Sequence, residues 1–145
     1  MTGEFDDLLV ANRRFAETFE LKGFDGVAHA GVAVVTCMDS RIDPLRMLGL
    51  RPGDAKIFRN PGGRVTQAAL EALVLGAHLL GVERVLVVPH TRCAMATHTE
   101  QELRDQVAAL HEDVQTVRSH PLISGAVAVG GFLYDVDTGL LAPVC

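Results

Sequence analysis

Apolar residues recur at helical spacing over residues 4–20, EFDDLLVANRRFAETFE, where Phe5, Leu8, Leu9, Phe15 and Phe19 form one stripe and acids occupy the first turn. The spacing predicts an amphipathic N-terminal helix. After a glycine-bearing loop over 23–31 the pattern changes to an unbroken apolar run at 32–36, which is the expectation for a strand buried on both faces. Residues 44–50 have room for one or two helical turns before Arg51-Pro52-Gly53-Asp54, and 55–58 predict a second short strand that leads into RNPGGR. Thr66 is the predicted cap of an Ala/Leu-rich helix that Gly81 ends. Residues 84–89 read as a third buried strand, 99–118 as a helix that stops at Ser119-His120-Pro121, and 126–144 as a strand, an Asp137-Thr138-Gly139 turn and a short return strand.

Strands alternating with helices, joined by right-handed crossovers, imply an α/β fold. The expectation is a single domain over 1–145, with a mainly parallel sheet of about four to five strands flanked by helices, the N-terminal amphipathic helix and a C-terminal hairpin. Ligands of such sheets gather beyond the carboxyl ends of the strands. Cys37 and His90 each follow directly on a predicted strand.

Composition narrows the partners. A hydrophobic content of 48% with no Trp and one Tyr suits a packed aliphatic core. The positive mean hydropathy is met either by a rich core or by an apolar surface that a second chain covers. A formal charge of −5 without any Lys/Arg cluster argues against nucleic acid. The acidic start has too short an apolar run for a secretory signal, and Gly, His or charge breaks the later apolar stretches, so no membrane contact and a cytoplasmic location are expected. Three cysteines are too few, and odd in number, for a disulfide framework.

The chemistry concentrates in two short stretches. VVTCMDSR ends the first buried strand in Cys37, Asp39 and Arg41, and HTRC ends the third in His90 and Cys93. Cys and His are the preferred protein ligands of zinc, and a catalytic site uses three while leaving the fourth position open. Cys37, His90 and Cys93 make that number. Asp39 is a fourth ligand or a proton acceptor beside the metal, and Arg41 can hold its carboxylate in a charge-assisted pair; the two roles exclude one another at any instant. Other readings stay open: inert packing of the thiols, or a thiol hydrolase built from Cys37, His90 and Asp39, which leaves Cys93 without a role. A C-x5-R phosphatase cradle fails, because position 43 is Asp.

Elsewhere the readings are structural. RNPGGR, 59–64, lacks the glycine spacing of a P-loop or dinucleotide fingerprint and reads as a tight turn beside the cleft, with Arg59 or Arg64 free for a dimer contact. His78 reads as a packed or partly exposed core histidine and His98 as a surface group near the metal loop with a proton-relay role as the alternative. His29, His111 and His120 read as isolated, Asp43 and Arg46 as a solvated helix start, and Cys145 as a frayed, inert terminus.

C-M-D-S-R, then RNPGG, then H-T-R-C in this order resembles the β-class carbonic anhydrase family, across nearly the whole chain. The resemblance implies zinc (Zn2+) on Cys37, His90 and Cys93, an Asp39–Arg41 dyad that keeps Asp39 off the metal except in a closed state, and a homodimer as minimal unit. It also implies reversible hydration of CO2 to bicarbonate, the carbonate dehydratase reaction, by a zinc-bound hydroxide. Relatives that hydrolyse carbonyl sulfide (COS) or carbon disulfide (CS2) make those the alternative substrates, and a closed, non-catalytic zinc domain is a further alternative. One departure is Ala94, where the family usually has Gly; a positive φ there would cost about 1 kcal/mol or more.

Overall fold

A computed structural model describes residues 3–94 and 99–145. Its elements are α1 (Asp6–Glu17), β1 (Val32–Cys37), a 3-10 turn at Arg46–Leu48, β2 (Ala55–Asn60), α2 (Gln67–Leu79), β3 (Arg84–Val88), α3 (Glu100–Arg118), β4 (Ala128–Tyr134) and β5 (Leu141–Pro143). The helices start where side chains satisfy their first amides: Thr66 accepts from Ala69 N–H, and Thr99 and Glu102 form a reciprocal capping box.

Five strands make one sheet in the order β2-β1-β3-β4-β5. The first three pairings are parallel and β4 with β5 is antiparallel, so the mostly parallel α/β fold with a C-terminal antiparallel pair agrees with the sequence expectation. Every residue of β1 is buried, as its unbroken apolar run requires at the centre of such a sheet.

Alternate strand residues point to opposite faces. On one face Ala33, Val35, Val85 and Val87 share a core with Leu70 and Leu73 of α2 and Leu110, Val114 and Val117 of α3. On the other, Val32, Val34 and Val88 meet Ile42, Met47, Leu48 and Leu50 from the β1–β2 connection. That connection is a loop with one 3-10 turn, so helices cover only one side of this part of the sheet.

The N-terminal helix is amphipathic as expected, yet it buries none of its residues: Leu8 is 63% and Phe15 61% exposed. No helix among the described residues is long and apolar enough to cross a membrane. Cys145 is not frayed. The pairing of the C-terminal strand runs on past Pro143, so that Cys145 O accepts from Gly131 N–H at 2.7 Å and the thiol lies half-buried.

Candidate metal centre

The chain leaves β1 toward β2 on one side and later returns through β3 on the other. The carboxyl ends of β1 and β3 therefore form the switch point where such sheets bind ligands. Thr36 pairs with Val88 in the ladder, and the Thr36 hydroxyl donates to Val88 O at 2.8 Å, which closes the two strand ends together. Cys37 is the next residue of β1, and His90 follows two residues after Val88.

Cys37, His90 and Cys93 are all buried, and their ligand atoms lie within 4.8 Å of one another. The two sulfurs are 4.0 Å apart, about twice a disulfide bond and close to the ~3.8 Å that two thiolates on one tetrahedral zinc would show. His90 Nδ1 sits 2.7 Å from Thr91 O, an acceptor only, so the proton is on Nδ1 and Nε2 presents its lone pair. His90 is fully buried, and Nε2 is the one buried side-chain nitrogen or oxygen without a hydrogen-bond partner among the described residues. Such an orphan costs about 1–3 kcal/mol. Two sulfurs and an unpartnered imidazole nitrogen converging on one point fit a zinc ion.

Asp39 stands beside this cluster and is held off it. Its Oδ1 accepts from the Arg41 backbone N–H at 2.8 Å and from Arg41 Nε at 3.0 Å, while Oδ2 accepts from Nη2 at 2.7 Å. The guanidinium bonds first, and then the backbone N–H, hold the Asp39 carboxyl well below the usual carboxylate range, against the opposing effect of its partial burial. Asp39 Oδ2 is still only 3.8 Å from His90 Nε2, so the carboxylate faces the cluster without entering it.

The loops around the centre are braced by groups that the sequence did not single out for this work. Arg59 donates to three backbone carbonyls of the Asp39 loop, those of Cys37 (2.9 Å), Asp39 (2.8 Å) and Ile42 (3.2 Å). Arg64 and the Val65 N–H both bond the buried Asp113 of α3, so within this chain both arginines of RNPGGR are engaged. The turn between them does lie beside the cleft: Gly62 N–H donates to Cys37 Sγ at 3.2 Å. Gly63 has φ +67°, and a Cβ there would stand 3.1 Å from Cys37 N, Thr36 C and Val88 O, so glycine is required where this turn crosses the strand ends.

A cavity of about 410 Å³ reaches Cys93 between this turn and α3, with Pro61, Pro89, Ala109 and Leu110 among its apolar walls. Ala94 is not left-handed, since Arg92 (φ 53°) is the non-glycine residue with positive φ among the described residues, and the strain considered for Ala94 does not arise. His98 lies outside the described residues. His29, read as isolated, instead pairs with Asp25 at 3.0 Å, and His78, which is exposed rather than packed, contacts Leu122 O. Asp43 accepts from Arg46 N–H, as suits a helix start.

A mostly parallel α/β sheet with two cysteines and a histidine gathered at its switch point defines a protein with a zinc-type centre. The carbonic anhydrase family matches residues 32–120. β-Carbonic anhydrase 1 of Mycobacterium tuberculosis is 30% identical over 132 residues, covering 78% of this chain and 81% of that protein. A carbon disulfide hydrolase of Acidithiobacillus thiooxidans is 29% identical over 149 residues, covering 76% and 75%. The crystal structure of carbonic anhydrase from Streptococcus mutans superposes with a TM-score of 0.86 at 32% identity, covering 100% of this chain and 99% of that one. The chain belongs to the β-class carbonic anhydrase family.

Proposed function

We propose that this protein catalyses the reversible hydration of CO2 to bicarbonate at a zinc ion held by Cys37, His90 and Cys93. The observation that carries this reading is the Asp39–Arg41 pair. Three hydrogen bonds keep the carboxylate off the cluster, so that a zinc held there by the three ligands would stay open to solvent and substrate. Zinc in such a site supplies Lewis acidity that brings the pKa of water from about 15.7 toward 7. Cys37 and Cys93 would hold the zinc through sulfur and balance its charge, and the Nδ1–H bond to Thr91 O turns His90 Nε2 toward the two sulfurs. Asp39, ionised and pointed by Arg41, is a hydrogen-bond acceptor placed to orient a proton at the site, and Arg59 fixes the backbone that carries it. The likeness of the whole chain to the S. mutans enzyme supports CO2 as the substrate.

Hydrolysis of CS2 or COS is the second reading. It is favoured by the carbon disulfide hydrolases among the relatives and by the apolar walls of the cavity beside Cys93. Stopped-flow CO2 hydration and CS2 and COS turnover by the zinc-loaded protein separate the two. Turnover of CO2 alone is expected, turnover of the sulfur compounds alone transfers the assignment to them, and one zinc per chain with no turnover makes the centre structural.

A homodimer is part of the proposal. The apolar stripe of α1, with Phe5, Leu8, Leu9 and Phe15 more than half exposed, finds no core among the described residues. Sedimentation is expected to give a dimer or a multiple of it, and truncation of residues 1–20 to lower the association state; an active monomer would end this part of the proposal.

A further inference from the structure

The HTRC loop contains a strained residue that the chemistry above leaves unused. Arg92 is left-handed at φ 53°, a conformation that disfavours side chains with a Cβ. That backbone setting has a visible consequence: the Arg92 carbonyl accepts from Arg41 Nη2 at 3.0 Å, while the same Nη2 donates to Asp39 Oδ2 at 2.7 Å. The two contacts use the two hydrogens of one nitrogen, so the guanidinium that restrains Asp39 is itself fixed from behind by residue 92. The Arg92 side chain runs the other way, to Asp137 in the β4–β5 turn, with Nη1 at 3.1 and 3.3 Å from the two carboxylate oxygens.

The turn is tied to the same loop at further points. Thr91 N–H donates to Tyr134 O at 2.9 Å and Val136 N–H to the Thr91 hydroxyl at 3.1 Å. Asp137 is in turn set by its own N–H bond to Asp135 Oδ1 at 2.8 Å. Its charge also reaches Arg41, adding weakly to the dominant effect of the Asp39 hydrogen bonds in favouring the charged guanidinium.

We propose that Arg92 is a positioning residue: its ion pair with Asp137 holds position 92 left-handed, which aims the carbonyl that keeps Arg41 on Asp39 and Asp39 away from the metal. The proposal rests on the functional reading above, in which an Asp39 held off the metal is the working arrangement. The pair is about 60% exposed on both sides, so it adds little to global stability and its effect is local. The carbonyl's direction belongs to the backbone, and this separates the brace from the side chain that provides it. Glycine takes positive φ freely, whereas alanine keeps the strain and loses the pair.

The experiment compares Arg92→Ala, Arg92→Gly, Asp137→Asn and the double variant Arg92→Gly/Asp137→Asn, each zinc-loaded to the same stoichiometry. Steady-state rates are measured together with zinc X-ray absorption, which counts sulfur, nitrogen and oxygen donors without reference to turnover. Arg92→Ala and Asp137→Asn are expected to lower kcat/KM about threefold to tenfold, the scale of losing an exposed pair at a strained position, with a carboxylate oxygen joining the metal's donors in part of the population. Arg92→Gly is expected to recover most of both, and Asp137→Asn to change nothing further in that background. Wild-type rates and donor sets in Arg92→Ala and Asp137→Asn, or a glycine variant as impaired as the alanine one, would overturn the role of Arg92. A wild-type protein whose zinc lacks the two-sulfur, one-nitrogen donor set would instead overturn the functional reading beneath it.

Discussion

Replacing Cys93 with alanine is expected to abolish stable zinc binding and, with it, turnover. Changing a group that only orients a metal ligand typically costs 10-fold to 100-fold in affinity or activity, and Cys93 would be a ligand itself, so the loss should exceed about a hundredfold. Cys37→Ala and His90→Ala should do the same, because the three ligand atoms close on one point within 4.8 Å and no two of them make a zinc site. Cys145→Ala serves as the control; its thiol sits by Gly131, on β4, and should leave the zinc content at one per chain. Metal analysis after dialysis checks the stoichiometry. Thermal unfolding with and without a chelator checks the linkage: bound zinc should raise the Tm of the wild type and of Cys145→Ala, and leave the Tm of the ligand variants unmoved. A Cys93→Ala protein that binds zinc as tightly as the wild type would remove the metal assignment.

The second large effect is expected from Arg41→Ala, and its signature is opposite: activity collapses while zinc stays. Arg41 supplies all three hydrogen bonds described for the Asp39 carboxylate, two of them from its side chain. Without the guanidinium, an anion 3.8 Å from His90 Nε2 loses its main partner and is free to turn toward a divalent cation that the cluster would hold. The closed arrangement should then dominate. A preference of about 2.7 kcal/mol for it would reduce the open population about a hundredfold, which sets the scale of the expected fall in rate. Asp39→Ala should behave differently, leaving the site open but without the acceptor that orients a proton, with partial rather than near-complete loss. Zinc content, rate and X-ray absorption of the two variants separate these outcomes. Should Arg41→Ala keep full activity and an unchanged donor set, the dyad has no gating role.

The sequence names the side chains behind both effects, but not the contacts that hold them in place. The metal donors are legible because their chemistry is carried by side-chain type, and because an apolar run that ends abruptly in Cys37 or His90 marks a strand's end, where open α/β sheets place their ligands. The braces are not legible. Arg59 acts on the carbonyls of Cys37, Asp39 and Ile42, and Arg41 on the carbonyl of Arg92, and a backbone acceptor has the same identity whatever residue bears it. Nothing in the local pattern around Asp137 shows that it lies 45 positions and one helix away from its partner yet within 3.1 Å of it.

Hydrophobic periodicity, together with capping and turn residues and the right-handed crossover rule, determined the buried strands, the helices and the mainly parallel class of the sheet, because burial of a strand or a helix face is a repeated local requirement that the chain satisfies position by position. The identities Cys37, Asp39, Arg41, His90 and Cys93 determined which chemistry was available. Only the tertiary structure decided that these residues meet, through the pairing of Thr36 with Val88 that sets two strand ends side by side. It decided as well that Asp39 is held by Arg41 rather than turned into the Cys37–His90–Cys93 cluster. It also decided that Gly63 lies against both strand ends, and that the α1 stripe faces outward. Strand order, register and the choice between competing partners for one carboxylate are set by contacts between residues far apart in the chain, and their energies depend on distances that no single stretch of sequence contains.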